Sequence, residues 1–182
     1  YSQILACSRQ EHILPETEDD NLTTTAAAAG NTTSTAILIA SLYPDYYEML
    51  RSRYYEHAAK GGVRVSVFQP THEKVQVTGQ HGHNQKALAE IFLLSFSEVL
   101  VTSGTSTFGY MSGSLAGIRP TMLYSARQHT VPDPPCVRMV TMEPCSHRPA
   151  SMECQAKAVA KEDLAQHVMA CEDERVGIKL FD

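Results

Sequence analysis

Val99-Leu100-Val101-Thr102 passes directly into Ser103-Gly104-Thr105-Ser106-Thr107-Phe108-Gly109-Tyr110, a β-branched run that becomes a hydroxyl- and glycine-rich loop opening a helix. In an open α/β sheet such a junction lies at the carboxyl end of a strand, where ligands bind. Free backbone N–H groups and the positive end of the helix dipole favour a phosphate there. The hydroxyls of Ser103, Thr105, Ser106 and Thr107 add donors without adding charge. The chemistry these residues point to is capture of a phosphorylated ligand. The same pattern also fits a plain helix N-cap at Ser106 or Thr107, with no ligand involved.

The flanking sequence sets the elements that must hold this loop. Ala36-Ile37-Leu38-Ile39-Ala40 reads as a buried parallel strand. A helix follows Pro44-Asp45 from Tyr46 to about His57, with Tyr47, Leu50, Tyr54 and Tyr55 on or near one face, stopped by Gly61-Gly62. Val63, Val65 and Val67 alternate with polar residues up to Phe68, a second strand, followed by a polar loop from Gln69 to His83. Asn84 is expected to cap a third helix, with Ala87, Leu88, Ile91, Leu94 and Phe96 on a broad apolar face. Then come a strand at Val99–Val101, a helix from Phe108 to about Ala116 ended by Gly117, and a strand over Thr121–Tyr124. The alternation predicts an α/β fold, a Rossmann-like doubly wound parallel sheet with helices on both faces. The lobe is expected over residues 1–125, with a low-complexity insertion at 16–34, and a Pro/Cys-rich extension packs on it over 126–182.

The chain has 182 residues and a formal net charge of -5, which excludes a basic nucleic-acid surface. No apolar run reaches the length of a membrane span. Tyr1-Ser2-Gln3-Ile4-Leu5 reads as the inside of a helix, with Ile4, Leu5, Ile13 and Leu14 as candidate core residues, so any targeting segment is expected upstream. Cys136, Cys145, Cys154 and Cys171 crowd a proline-rich region with little core of its own, and two disulfides are expected there, in any of three pairings. Cys7 is then left over, either buried and free or paired outside the chain. Zinc, with His147 and His167 nearby, is the rival reading, but no C-x2-C spacing supports it, and no metal is expected. Two sequons, at Asn21 and Asn31, flank the run Thr23–Gly30 and, with the cysteines, point to the secretory pathway.

Six strings then carry a resemblance. They are His83-Asn84-Gln85-Lys86-Ala87-Leu88-Ala89-Glu90, Val101-Thr102-Ser103, Ser106-Thr107-Phe108-Gly109-Tyr110, Pro132-Asp133-Pro134-Pro135-Cys136, Met142-Glu143-Pro144-Cys145 and Cys171-Glu172-Asp173. In order and spacing the chain resembles the plant xyloglucan-type fucosyltransferases, which add α-1,2-linked fucose to cell-wall glycans. The resemblance implies a Golgi type II membrane enzyme with two Rossmann-like lobes (a GT-B glycosyltransferase), of which this chain is similar to the C-terminal, donor-binding lobe. It implies inverting transfer from GDP-fucose to a galactose-type hydroxyl of a cell-wall polysaccharide or glycoprotein. GDP-fucose is then a donor substrate, with no cofactor or metal, and other Golgi glycosyltransferases are possible associates.

By the same resemblance, Ser103, Thr105, Ser106, Thr107, Phe108 and Gly109 face the diphosphate; the expected position of the site gives His83 or Lys86 a contact to the base or phosphate. Asp173 stands where the family places a C-terminal acid that orients the acceptor hydroxyl or relays its proton, a usual role for a carboxylate. Plainer readings stand beside these. Asp173 sits in the charged turn Glu172-Asp173-Glu174-Arg175, His83 and Lys86 cap and solvate a helix, Glu143 satisfies backbone donors, and Tyr110 packs. The family's arginine-bearing donor motif and acceptor lobe have no counterpart here, and two positions where it favours tryptophan hold Gly104-Thr105 and Pro120-Thr121. The chain is therefore expected to be inactive alone. A non-catalytic remnant or partner retaining the donor-lobe fold is the alternative, and a generic sugar-phosphate-binding domain a third reading.

Overall fold

The computed structural model describes residues 1–18, 33–125, 130–143, 168–173 and 177–180. The chain divides into two compact units, Tyr1–Glu90 and Ile91–Asp182. Asn21, Asn31, Cys145, Cys154, His147 and His167 lie outside the described residues.

In the first unit, α1 (Ser2–Glu11) ends at His12 in the left-handed conformation, φ 52°. Cys7 and Ser8 are its buried residues, whereas Ile4, Leu5, Ile13 and Leu14 are only half-buried. Ser8 ties the exit from the helix, its carbonyl accepting from the Ile13 N–H and its hydroxyl from the Leu14 N–H at 2.8 Å. β1 (Ser34–Leu38) and β2 (Arg64–Phe68) pair in parallel, Ser34 opposite Arg64 and Leu38 opposite Phe68. α2 (Asp45–Glu56) crosses between them and buries Leu50. Tyr55 is 88% exposed, so it lies off the predicted face, and the helix ends before the glycines. Gly61 and Gly62, at φ 69° and 71°, instead turn the chain into β2, a conformation that costs glycine little.

α3 (His81–Leu94) begins three residues before the predicted cap, so Asn84 lies inside it. Its most buried positions are Glu90 and Leu94, one helical turn apart, while Leu88 and Phe96 are 54% and 82% exposed. Glu90 accepts a hydrogen bond from the Thr71 hydroxyl at 2.6 Å, which satisfies a buried carboxylate.

In the second unit, β3 (Val101–Ser103) and β4 (Thr121–Leu123) pair in parallel, joined by α4 (Thr107–Ala116). These are the predicted strand–loop–helix–strand elements, shifted by one to two residues. Gly117 closes α4 at φ 69°. β5 (Cys136–Arg138) adds antiparallel to β4, and β6 (Val168–Ala170) pairs antiparallel with β7 (Ile178–Leu180). The Pro/Cys-rich extension thus supplies a strand to the sheet that carries the loop. Tyr110, Met122 and Met139 form the core here, with Tyr124 and Val137 against them.

Cys7, Cys136 and Cys171 are each disulfide-bonded. The cysteine expected to be left over is therefore a structural one, 1% exposed on α1. Zinc ligation by Cys136 or Cys171 is excluded by the same bonds, since a disulfide sulfur is not a thiolate.

Candidate functional site

The loop after β3 is built by a close approach. A Cβ on Gly109 would lie 2.0 Å from Thr102 Oγ1 and 2.4 Å from Thr102 Cβ, so only glycine lets the first turn of α4 rest on β3. Gly113 does the same one turn on, where a Cβ would meet Pro120 Cγ at 2.7 Å. Ser106 caps the helix, its hydroxyl accepting from the Gly109 N–H at 3.3 Å. The N-cap reading of Ser106 is therefore part of the answer. It does not close the site, because the first-turn N–H groups of Thr107 and Phe108 have no intrahelical partner and point along the positive end of the dipole.

Thr105 is the strained residue. It adopts φ 56°, the left-handed region that a β-branched side chain disfavours. Two contacts hold it there: its hydroxyl donates to the Gly104 carbonyl at 2.8 Å, and its N–H donates to Asp173 Oδ2. The Tyr110 hydroxyl donates to the same oxygen. Asp173 Oδ1 is buried and makes no hydrogen bond. Gly104 admits this carboxylate, since a Cβ there would stand 3.2 Å from Asp173 Cβ. One carboxylate oxygen is therefore fixed by two donors, and the other is buried without a donor.

The structure thus brings together Thr105, Asp173 and Tyr110, with Ser103, Ser106, Thr107, Phe108 and Gly109 on the same loop and helix start. Tyr110 is core, as expected of a packing residue, yet its hydroxyl also serves the carboxylate. Nothing in the sequence could pair it with a residue 63 positions away. Glu172 was also unreadable from sequence: rather than lining a solvated turn, it accepts from the Val140 N–H at 2.7 Å and lies 2.8 Å from Lys179 Nζ. At Glu143 the backbone N–H donates to the Thr141 hydroxyl.

His83 and Lys86 belong to the first unit. His83 Nε2 accepts from the Val77 N–H at 3.4 Å, and Lys86 pairs with Glu73 at 2.5 Å. The Lys86 ammonium, by hydrogen bond and charge, holds the Glu73 carboxyl below its ordinary 4.5. The pair is exposed, so its effect on stability is small. Because the carboxyl is depressed on folding, that contribution is present above the ordinary carboxylate range and is lost as pH falls through the lowered value. Lys86→Met is accordingly expected to lower Tm slightly at neutral pH, with the difference vanishing on acidification, as read by thermal melts across pH.

Glu73 also lines a cleft of about 280 Å³ with Pro44, Glu48, Gln69, His72 and Lys74, just past the carboxyl end of β2. Gln69 there donates to the Ser41 carbonyl at 3.1 Å, while its own oxygen is buried without a partner. The only sequence signal for this cleft is a polar residue directly after a strand. Among the described residues no three His, Cys, Asp or Glu side chains converge to hold a metal, and no helix is long and apolar enough to cross a membrane.

The chain is 44% identical to probable fucosyltransferase 8 of Arabidopsis thaliana and 43% identical to galactoside 2-alpha-L-fucosyltransferase of Pisum sativum, each match covering 99% of the chain. It spans about a third of these relatives, 34% and 32% of their lengths. Among solved structures it is similar to a mutant of Arabidopsis thaliana FUT1 in complex with GDP, with a TM-score of 0.79 and 40% identity over 99% of this chain and 38% of that one. The family profile described as xyloglucan fucosyltransferase matches residues 1–155, and this chain belongs to that family.

Proposed function

We propose that this chain is the donor-binding part of a Golgi fucosyltransferase that transfers fucose from GDP-fucose, with inversion, to a galactose-type hydroxyl of a cell-wall glycan. The observation that carries the reading is the loop from Ser103 to Gly109: a strand end, a strained turn and a capped helix start on a chain 40% identical to a GDP-bound relative. In the proposed reaction, the acceptor hydroxyl attacks the anomeric carbon opposite the leaving nucleotide. The bond to the GDP phosphate breaks, and negative charge develops on that phosphate. The N–H groups of Thr107 and Phe108, with the loop hydroxyls, stabilise this charge as it forms. The acceptor loses a proton, and its capture is assigned to Asp173, whose Oδ1 carries no hydrogen bond of its own.

One observation favours a second reading, a fold retained without catalysis. Asp173 occupies the Thr105 N–H, a donor that a phosphate would otherwise use, and like charges repel. A thermal-shift titration separates the two. GDP at about a hundred times its dissociation constant is expected to stabilise the oxidised protein by about 2.7 kcal/mol, with UDP weaker. No shift with millimolar GDP rejects the donor site, and equal shifts with GDP, UDP and inorganic diphosphate reject recognition of the base.

A further inference from the structure

We propose that Glu172 and Lys179 are positioning residues for Asp173, an inference that rests on the proton-accepting role assigned to that carboxylate. Lys179 lies on β7 opposite Met169 of β6, and its side chain is 0% exposed. A buried ammonium requires a counter-charge, and Glu172 Oε2 supplies it at 2.8 Å. Neither atom makes an aligned hydrogen bond, so the contact is one of charge with charge. The other oxygen, Oε1, accepts from the Val140 N–H, next to Met139, whose own N–H donates to the Pro120 carbonyl just before β4. Glu172 therefore bolts the β6–β7 hairpin to the segment that follows β5. The Cys171 N–H donates to the Gly177 carbonyl and closes the hairpin from the other side.

One residue on, the chain delivers Asp173 to Thr105 and Tyr110. A buried ion pair is seldom better for stability than apolar residues of the same volume, while removal of one partner leaves the other charge stranded. The contribution of this pair is therefore geometric: it fixes the backbone at 172, and with it the carboxylate at 173.

The test uses the full-length protein carrying this chain, with Lys179→Met, Glu172→Gln and the double variant. Four quantities are read: hydrogen–deuterium exchange of the peptide spanning Gly104–Phe108, kcat, KM for GDP-fucose, and Tm. Each single variant is expected to speed exchange in that peptide about tenfold. It also lowers kcat about tenfold or more, with KM for GDP-fucose nearly unchanged. The double variant is expected to recover Tm, because no charge is stranded, while exchange stays fast and kcat low. Unchanged exchange in folded single variants overturns the inference, as does a double variant that regains wild-type exchange and turnover. Faster exchange with unchanged turnover upholds the positioning and instead rejects the role proposed for Asp173.

Discussion

Replacing Asp173 by asparagine is expected to lower kcat for fucosyl transfer by about 10²–10⁴-fold in the full-length protein, the range for loss of a positioned proton acceptor. The asparagine keeps the volume and an acceptor oxygen for Thr105, so KM for GDP-fucose and the GDP-induced rise in Tm should persist. This split separates two roles for one carboxylate. If Asp173 only shapes the donor loop, the acceptor oxygen that asparagine keeps for Thr105 preserves that shape, and kcat stays near the wild-type value. Tyr110→Phe is the graded companion. It removes one donor to Oδ2 without opening a cavity, and a hydrogen bond to a charged group of that strength corresponds to about a tenfold loss in kcat. A Tyr110→Phe variant with wild-type turnover would show that the Thr105 N–H alone orients the carboxylate.

The largest stability effect is expected at Gly109. Alanine there puts a methyl carbon 2.0 Å from Thr102 Oγ1, 2.4 Å from its Cβ and 2.8 Å from its Cγ2. All three atoms belong to one β-branched side chain on β3, which cannot turn out of the way. Overpacking of this kind costs about 3 kcal/mol, or about 10 °C in Tm for a chain of this size. Because Thr102 Cβ is itself too close, Thr102→Ala relieves the clash only in part, and Thr102→Gly clears the space. The double variant Gly109→Ala/Thr102→Gly should therefore be more stable than the two single losses added together, a coupling of about 1 kcal/mol or more. Additive losses, measured by thermal or denaturant unfolding, would place α4 away from β3. GDP binding, read by calorimetry below the Tm of the variant, should also be lost in Gly109→Ala, because the N–H groups proposed to hold the phosphate move with the helix start.

Much of the scaffold was readable along the chain. The hydroxyl loop, its N-cap at Ser106 and the closing Gly117 are local features, set by dihedral preference and by hydrogen bonds within three or four residues. The parallel pairs β1–β2 and β3–β4 followed from strand–helix–strand order, because a crossover helix forces the strands it joins to run the same way. Family membership was legible for a related reason, since six short strings kept their residues, order and spacing. Element ends slipped by one to three residues. α3 began before Asn84 because nothing local marks its start more strongly than the helix-forming run that follows.

Tertiary structure decided what contiguity cannot express. Cys7, isolated in the sequence, is disulfide-bonded, because bonding depends on where a buried sulfur lies and not on its distance along the chain. Leu88 and Phe96, apolar enough to suit a core, are exposed, while Glu90 and Lys179 are buried, because each found a partner that offsets its desolvation. β5 emerged from a proline-rich stretch without strand periodicity because β4 offered it an unpaired edge. Asp173 meets Thr105 and Tyr110 across 68 and 63 residues. Sequence alone specified the hydroxyl loop and its helix start, since both are made of consecutive residues. The carboxylate that faces the loop, and the buried ion pair behind it, exist only once the chain has folded.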